Sequence, residues 1–136
     1  MNSILITTAS ALAFTFIALI SPAQSGEPPA FMENTFPQQG VEAAWESYKS
    51  VFLDPDAALD TRTKELMALA VAAQVPCDYC VYYHTRAARA HGATDAEIRE
   101  ALAVASLIRK WSTMLNGSQY SETRWQQEVD AMFSGQ

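Results

Sequence analysis

From Val41 to Phe133 the apolar residues of this chain recur at helical spacing, and no useful stretch alternates as a strand does. That periodicity predicts an all-α fold. Val41, Ala44, Trp45, Tyr48 and Phe52 fall on one face of an amphipathic helix. Asp54-Pro55-Asp56 breaks it, because proline lacks a donor and disfavours a helical residue before it. Asp60 or Thr61 caps a second helix running through Glu65 to about Val75. Its body, LMALAVAA, is apolar nearly all round and reads as a buried central helix. Pro76 ends it. A third helix starts at Cys77 or Asp78 and stops before Gly92, a residue suited to the left-handed position after a helix. Thr94 and Glu97 form a capping box for a fourth helix, with Ile98, Leu102, Ala105, Ile108 and Trp111 on one face. Asn116-Gly117 closes that helix. Ser121 caps a last one that turns Trp125, Val129, Met132 and Phe133 inward. The expectation is about five helices with no internal repeat.

The start of the chain is a different zone. No charged side chain precedes Glu27, and residues 4–20 form an uncharged, mostly apolar run followed by Ser21-Pro22-Ala23. An apolar core ending in small residues is the layout of a secretory signal peptide, although no basic residue precedes this one. The run is also near the minimum of roughly 17 residues that spans a bilayer, so an uncleaved anchor stays open. Residues 1–23 are thus read as a signal peptide or anchor, 24–40 as an extended Pro-rich arm, and 41–136 as the helical domain. Either N-terminal reading exports the domain, periplasmic or secreted, with no membrane contact unless the segment stays as an anchor.

Composition narrows the function classes. The 136 residues carry a net charge of −6, which gives no basic footprint for nucleic acid. Two cysteines are too few for a disulfide scaffold, so they are incidental or chemical. A mature domain of about this size buries only roughly 65% of its unfolded surface. Yet Trp45, Trp111, Trp125, Phe52 and Phe133 all need cover, which predicts a homo-oligomer.

The informative stretch is Glu65 to His84, ELMALAVAAQVPCDYCVYYH. On one helix Cys77, Cys80 and His84 stand at i, i+3 and i+7 and share a face. A helical i, i+3 pair meets the Cα separation of roughly 4.4–6.8 Å that a disulfide needs, so the thiols can cycle with little backbone movement. A helix N-terminus favours a thiolate at Cys80, and His84 one turn on can take its proton and return it to a leaving group. Asp78 opposes a second anion nearby, and its side chain is expected to cap the helix and point away. If the second and third helices fold back at Pro76, Glu65 lies about 15 Å down the hairpin and His84 about 10 Å. Cys80 is only about 4–5 Å down, out of direct reach of Glu65. The order is then Glu65 to His84 to Cys80, with a residual gap between the first two that a water fills.

The residues alone leave other readings open. The cysteines can form a static disulfide, which an exporting compartment favours. They can also join His84 and either Glu65 or His91 around zinc, though one helical face wraps a tetrahedral ion poorly. His84 can be a plain surface histidine and Glu65 a plain first-turn carboxylate. His91 suits a helix C-terminus, Tyr79, Tyr82 and Tyr83 suit packing or pocket lining, and Arg86 and Arg89 suit a solvated face.

Glu65, then Cys77-x-x-Cys80, then His84 resembles the alkylhydroperoxidase AhpD-like branch of the carboxymuconolactone decarboxylase superfamily. The flanks agree, with Leu59-Asp60-x-x-Thr63-Lys64-Glu65-Leu66 before the motif and HGATDAEIREAL after it. The resemblance covers roughly Trp45 to Leu115. It implies an all-helical, oligomeric thiol peroxidase with no cofactor and no metal. Cys80 would match the peroxidatic cysteine, Cys77 the resolving one, and Glu65 and His84 the proton relay. A hydroperoxide would be the substrate and a thioredoxin- or lipoyl-type thiol protein the reductant. Some members carry a histidine just before the second cysteine, where this chain has Tyr79. The superfamily's lactone decarboxylases generally lack the cysteine pair. Alternatives to peroxidase activity are an extracytoplasmic thiol–disulfide oxidoreductase and a non-catalytic helical binding or assembly protein with a structural disulfide.

Overall fold

A computed structural model describes residues 26–135, so the expected signal peptide or anchor at 1–23 lies outside the described residues. Those residues form six α-helices and no strand: α1 (Ala30–Thr35), α2 (Val41–Phe52), α3 (Thr61–Gln74), α4 (Asp78–Ala90), α5 (Asp95–Gly117) and α6 (Glu122–Phe133). The chain is all-α. Five of the six are the helices that the periodicity predicts. The sixth, α1, together with a 3-10 turn at Gln38–Gly40, occupies part of the stretch expected to be an extended arm. The prolines explain this, since Pro29 stands immediately before α1 and Pro37 immediately before the 3-10 turn, where a missing N–H loses nothing.

The chain divides into two compact units, one up to Glu46 and one from Ser47 onward, with the boundary inside α2. In the first, Met32, Val41 and Trp45 are buried, and the Trp45 indole donates to the Gly26 carbonyl at 3.0 Å. The second unit holds the CxxC segment. Its core is Leu69 of α3, Ala88 of α4, Ala93 of the connecting turn and Ile98 of α5, flanked by Leu66, Val81 and Leu102. Small alanines at two of these four positions let the helices approach closely.

The caps fix where each helix begins. Asp60 accepts the Thr63 N–H at 2.9 Å and starts α3. Thr94 and Glu97 close both arms of a capping box on α5, at 2.7 and 3.2 Å. Ser121 caps α6, and Gly92 takes φ +87° after α4, as its position requires. Asp78 does not cap α4. It is the first helical residue, and the cap is Cys77, whose sulfur accepts the Cys80 N–H at 3.2 Å.

Three expected burials are incomplete within the chain. α3 buries Glu65, Leu69 and Ala72 but leaves Met67, Val71 and Val75 exposed, so it is covered on one side and not all round. α5 buries Ile98 and Ala105, whereas Ile108 and Trp111 on the same stripe are 64% and 60% exposed. α6 buries none of its residues, and Trp125, Met132 and Phe133 face outward. The reason is geometric. At 23 residues, α5 is nearly twice the length of α4, so its far half extends beyond the helices that α3 and α4 supply.

Candidate active site

The α3–α4 connection is three residues long, and both helix ends are tied across it. The Val75 N–H reaches the Val71 carbonyl at 3.0 Å and the Cys77 N–H reaches Ala72 at 3.1 Å. The chain therefore leaves α3 and enters α4 with no slack, and Cys77 is held at the cap with Cys80 one turn in. Cys77 and Cys80 are joined as a disulfide with Cα atoms 5.2 Å apart, within the range that the i, i+3 spacing predicts.

Folding back about Pro76 brings Glu65 against His84. The imidazole Nδ1 and the carboxylate Oε2 are 2.6 Å apart, a direct contact. The gap expected to hold a water is closed, because each side chain spans more of the interhelical distance than axial arithmetic allows. Glu65 is 1% exposed and His84 16%. A buried carboxylate is stable only when partnered, so this contact fixes both groups. It also fixes the histidine's chemistry. Nδ1–H donates to the carboxylate, which leaves Nε2 as the basic or proton-donating atom.

Aromatic rings complete the surroundings. Phe52 stacks on the His84 ring with centroids 5.6 Å apart, and Tyr83 meets it edge-on at 5.1 Å. Tyr48 stacks on Phe52 at 4.8 Å, and its hydroxyl lies 2.6 Å from that of Tyr83. Burial, then the Tyr83 hydroxyl, then the negative charge of Glu65 push the Tyr48 phenol far above its usual range. Burial likewise raises Tyr83, with the bond to Tyr48 lowering it and the Glu65 charge adding to the rise. The sequence marks Tyr48 and Phe52 only as the apolar face of α2, and Tyr83 as packing or pocket lining. Their placement depends on how α2 meets α4, for which periodicity carries no signal.

Beside this cluster an apolar cleft of about 270 Å³ opens over the cysteines. Ala68, Val71, Ala72 and Val75 of α3 line one side, and Cys77, Cys80 and His84 the other. Glu65, Cys77, Cys80 and His84 are therefore gathered as one unit, with the last three reaching the cleft. His91 is elsewhere, at the C-cap of α4, where its N–H bonds the Ala87 carbonyl. Among the described residues no group of three or more His, Cys, Asp or Glu is placed to hold a metal ion.

Residues 39–122 match the Carboxymuconolactone decarboxylase family. The chain belongs to that family. Within its fold, the chain resembles the alkylhydroperoxidase AhpD core from Rhodospirillum rubrum, with 36% identity and a TM-score of 0.56 over 60% of this chain and 59% of that one. Two uncharacterized proteins are also similar. One, protein 4 in the cox locus of Paracoccus denitrificans, is 48% identical over 40% of this chain and 49% of its own length. The other, from Cupriavidus necator, is 38% identical over 48% of this chain and 60% of its own. The chain thus spans about half to three-fifths of the relatives it matches. The chain therefore carries a disulfide-forming CxxC, Cys77–Cys80, on an AhpD-like helical fold.

Proposed function

We propose that this chain is a thiol-dependent peroxidase acting on organic hydroperoxides, with Cys80 as the attacking cysteine and Cys77 as the resolving one. The observation that carries the proposal is that the Cys77–Cys80 disulfide and the Glu65-paired His84 line one apolar cleft. Cys80 is the better nucleophile candidate because its side chain stands in the first turn of α4, where the positive end of the helix favours the thiolate. The apolar α3 wall suits an alkyl group on the peroxide.

In the reduced pair, His84 takes the Cys80 proton at Nε2 while Nδ1–H stays on Glu65. The thiolate attacks the terminal peroxide oxygen, forming an S–O bond and breaking O–O. The alkoxide leaves with the proton from His84, giving an alcohol and a Cys80 sulfenic acid. The Cys77 thiol then attacks that sulfur, S–S forms, and water leaves. An external dithiol supplies two electrons and two protons to restore the pair. Removing the relay should lower the chemical step by roughly 10²–10⁴-fold, the usual contribution of a positioned acid–base group.

Under this proposal the reductant is a thioredoxin- or lipoyl-type thiol protein, and the domain is exported, a reading supported by the uncharged run at 4–20. Exposed apolar residues on α5 and α6 support a homo-oligomer. General thiol–disulfide exchange uses the same last step and is the second reading, favoured by the openness of the disulfide to the cleft. Comparing hydroperoxide consumption by Cys80→Ser, Cys77→Ser, His84→Gln and Glu65→Gln separates the two. Cys80→Ser is expected to be inactive and Cys77→Ser to accumulate a trappable sulfenic acid at Cys80. Full activity in Cys80→Ser would remove the assignment.

A further inference from the structure

Cys77 is bonded into two helices at once. Its N–H donates to the Ala72 carbonyl of α3 at 3.1 Å, and its carbonyl accepts the Val81 N–H of α4 at 2.9 Å. Its place beside Cys80 therefore follows the last turn of α3 as well as the first turn of α4. A rotation of that last turn tilts the Cys77 peptide and swings its sulfur relative to Cys80.

α5 holds the last turn of α3, and it does so through one residue. Gln74 is the final residue of α3 and is half-buried. Its amide Nε2 donates to the Ala105 carbonyl at 2.8 Å, and its Oε1 accepts from the Arg109 Nε at 2.7 Å. Only this amide orientation fits, since a carbonyl can only accept and a guanidinium only donate. The Gln74 main-chain carbonyl accepts from the Arg109 Nη2 at 3.1 Å. The last carbonyls of a helix lack partners within it, so this bond satisfies an acceptor that α3 leaves open. Ala105 and Arg109 are one turn apart on α5, so a single face of that helix grips Gln74. Gln74 does not line the cleft over the cysteines, and its influence on them runs through Cys77.

We infer that Gln74, gripped by Ala105 and Arg109, is a positioning residue of the cysteine pair: it keeps Cys77 beside Cys80 when both are reduced, and so favours the disulfide over the dithiol. The inference rests on the reading of Cys77–Cys80 as a redox couple and deepens it by assigning part of what sets its potential. The sign follows from entropy. Oxidation confines both sulfurs to bonding distance with or without the grip. A dithiol whose Cys77 is already confined loses less freedom on closing, whereas a loosened hinge gains freedom on reduction. Removing the grip therefore makes the disulfide easier to reduce.

The test equilibrates the full chain with mixtures of reduced and oxidised dithiothreitol, alkylates it, and counts free thiols by intact mass. In that exchange the reagent dithiol gives two electrons and two protons to the protein disulfide and closes to its own cyclic disulfide. Gln74→Met keeps the length of the side chain and loses both amide bonds. The ratio of reduced to oxidised reagent at its midpoint should fall about threefold, near the low end of what one ordinary hydrogen bond is worth. That is a potential about 14 mV less negative, at about 30 mV per tenfold. Arg109→Met, which leaves the bond to Ala105, should move the midpoint the same way by less. Arg124→Met, which loses the same charge on α6, should stay at the wild-type midpoint. A grip that only stabilised the fold would lower the unfolding stability of the oxidised and reduced forms alike and leave the midpoint where it was. A midpoint ratio unchanged or raised in Gln74→Met overturns the inference, as does an equal shift in Arg124→Met. Should Gln74→Met fail to fold, Arg109→Met decides alone, and a wild-type midpoint there overturns it. No peroxide enters these readings. A wild-type pair that ignores hydroperoxide breaks the proposed function, whereas an unmoved midpoint breaks only this inference.

Discussion

The hinge between α3 and α4 and the far half of α5 with α6 are built from similar apolar material and end in opposite conditions. At the hinge, the polar groups of the site meet partners inside the chain, while the neighbouring Lys64 ammonium is buried without a hydrogen-bond partner. Glu65 meets His84, the Cys77 sulfur meets the Cys80 N–H, and Gln74 bonds the Ala105 carbonyl at 2.8 Å. Along α5 and α6, Leu107, Ile108, Trp111, Met114, Met132 and Phe133 stay exposed, and α6 buries nothing. The geometry of the proposed site is built by α2, α3 and α4, while the apolar surface of α5 and α6 has no cover among the described residues, where a second copy is proposed to sit.

Perturbing each region should separate the two. Leu69 lies one turn from Glu65, is fully buried and joins α3 to the core, so Leu69→Ala should lower unfolding stability by about 2–5 kcal/mol. Denaturant titration checks it, and a loss below 1 kcal/mol would mean that the hinge is not the rigid part of the fold. Next in size is the cap of α5. Thr94→Ala removes both arms that the hydroxyl makes with Glu97 and should cost about 1 kcal/mol by thermal unfolding at neutral pH.

The same cap carries a pH signature. The Thr94 N–H, and then its hydroxyl, hold the Glu97 carboxyl below its ordinary range, and Thr63 does the same for Asp60. A depressed folded pKa stabilises above the unfolded value of about 4 and is lost as pH falls through the folded one. Wild-type melting temperature should therefore drop more steeply than that of Thr94→Ala as pH falls below about 4.

The smallest effect on the chain itself should come from α5. Ile108→Gln with Trp111→Gln should change the stability of each chain by about 0.5 kcal/mol or less, since both side chains are already exposed. It should instead reduce the mass seen by sedimentation. An unchanged mass would leave the exposed apolar stripe without its assigned role.

How much of this was legible in the sequence follows the physics of each signal. The caps at Asp60, Thr94 and Ser121 are local, involving residues three apart, and all three stand where the sequence puts them. Cys77, Cys80 and His84 share one helix, so their common face follows from 3.6 residues per turn. Glu65 is on another helix, and axial arithmetic finds its level but not the side-chain reach that closes the contact to 2.6 Å. Asp78 was expected to cap because its side chain is a preferred acceptor, and the cysteine one residue earlier takes the position instead. The burial of α6 was illegible for a different reason. An apolar stripe predicts that something covers it, not that the same chain does.

The proposed function requires the Cys77–Cys80 pair to be a working redox couple and not a static clasp. The direct measurement is thiol titration with intact mass on the reduced protein, before and after one equivalent of an alkyl hydroperoxide. A working couple gives two free thiols per chain before, none after, a mass lower by two hydrogens, and recovery of both thiols with a dithiol. Two thiols still titrating after peroxide, with unchanged mass, would contradict it.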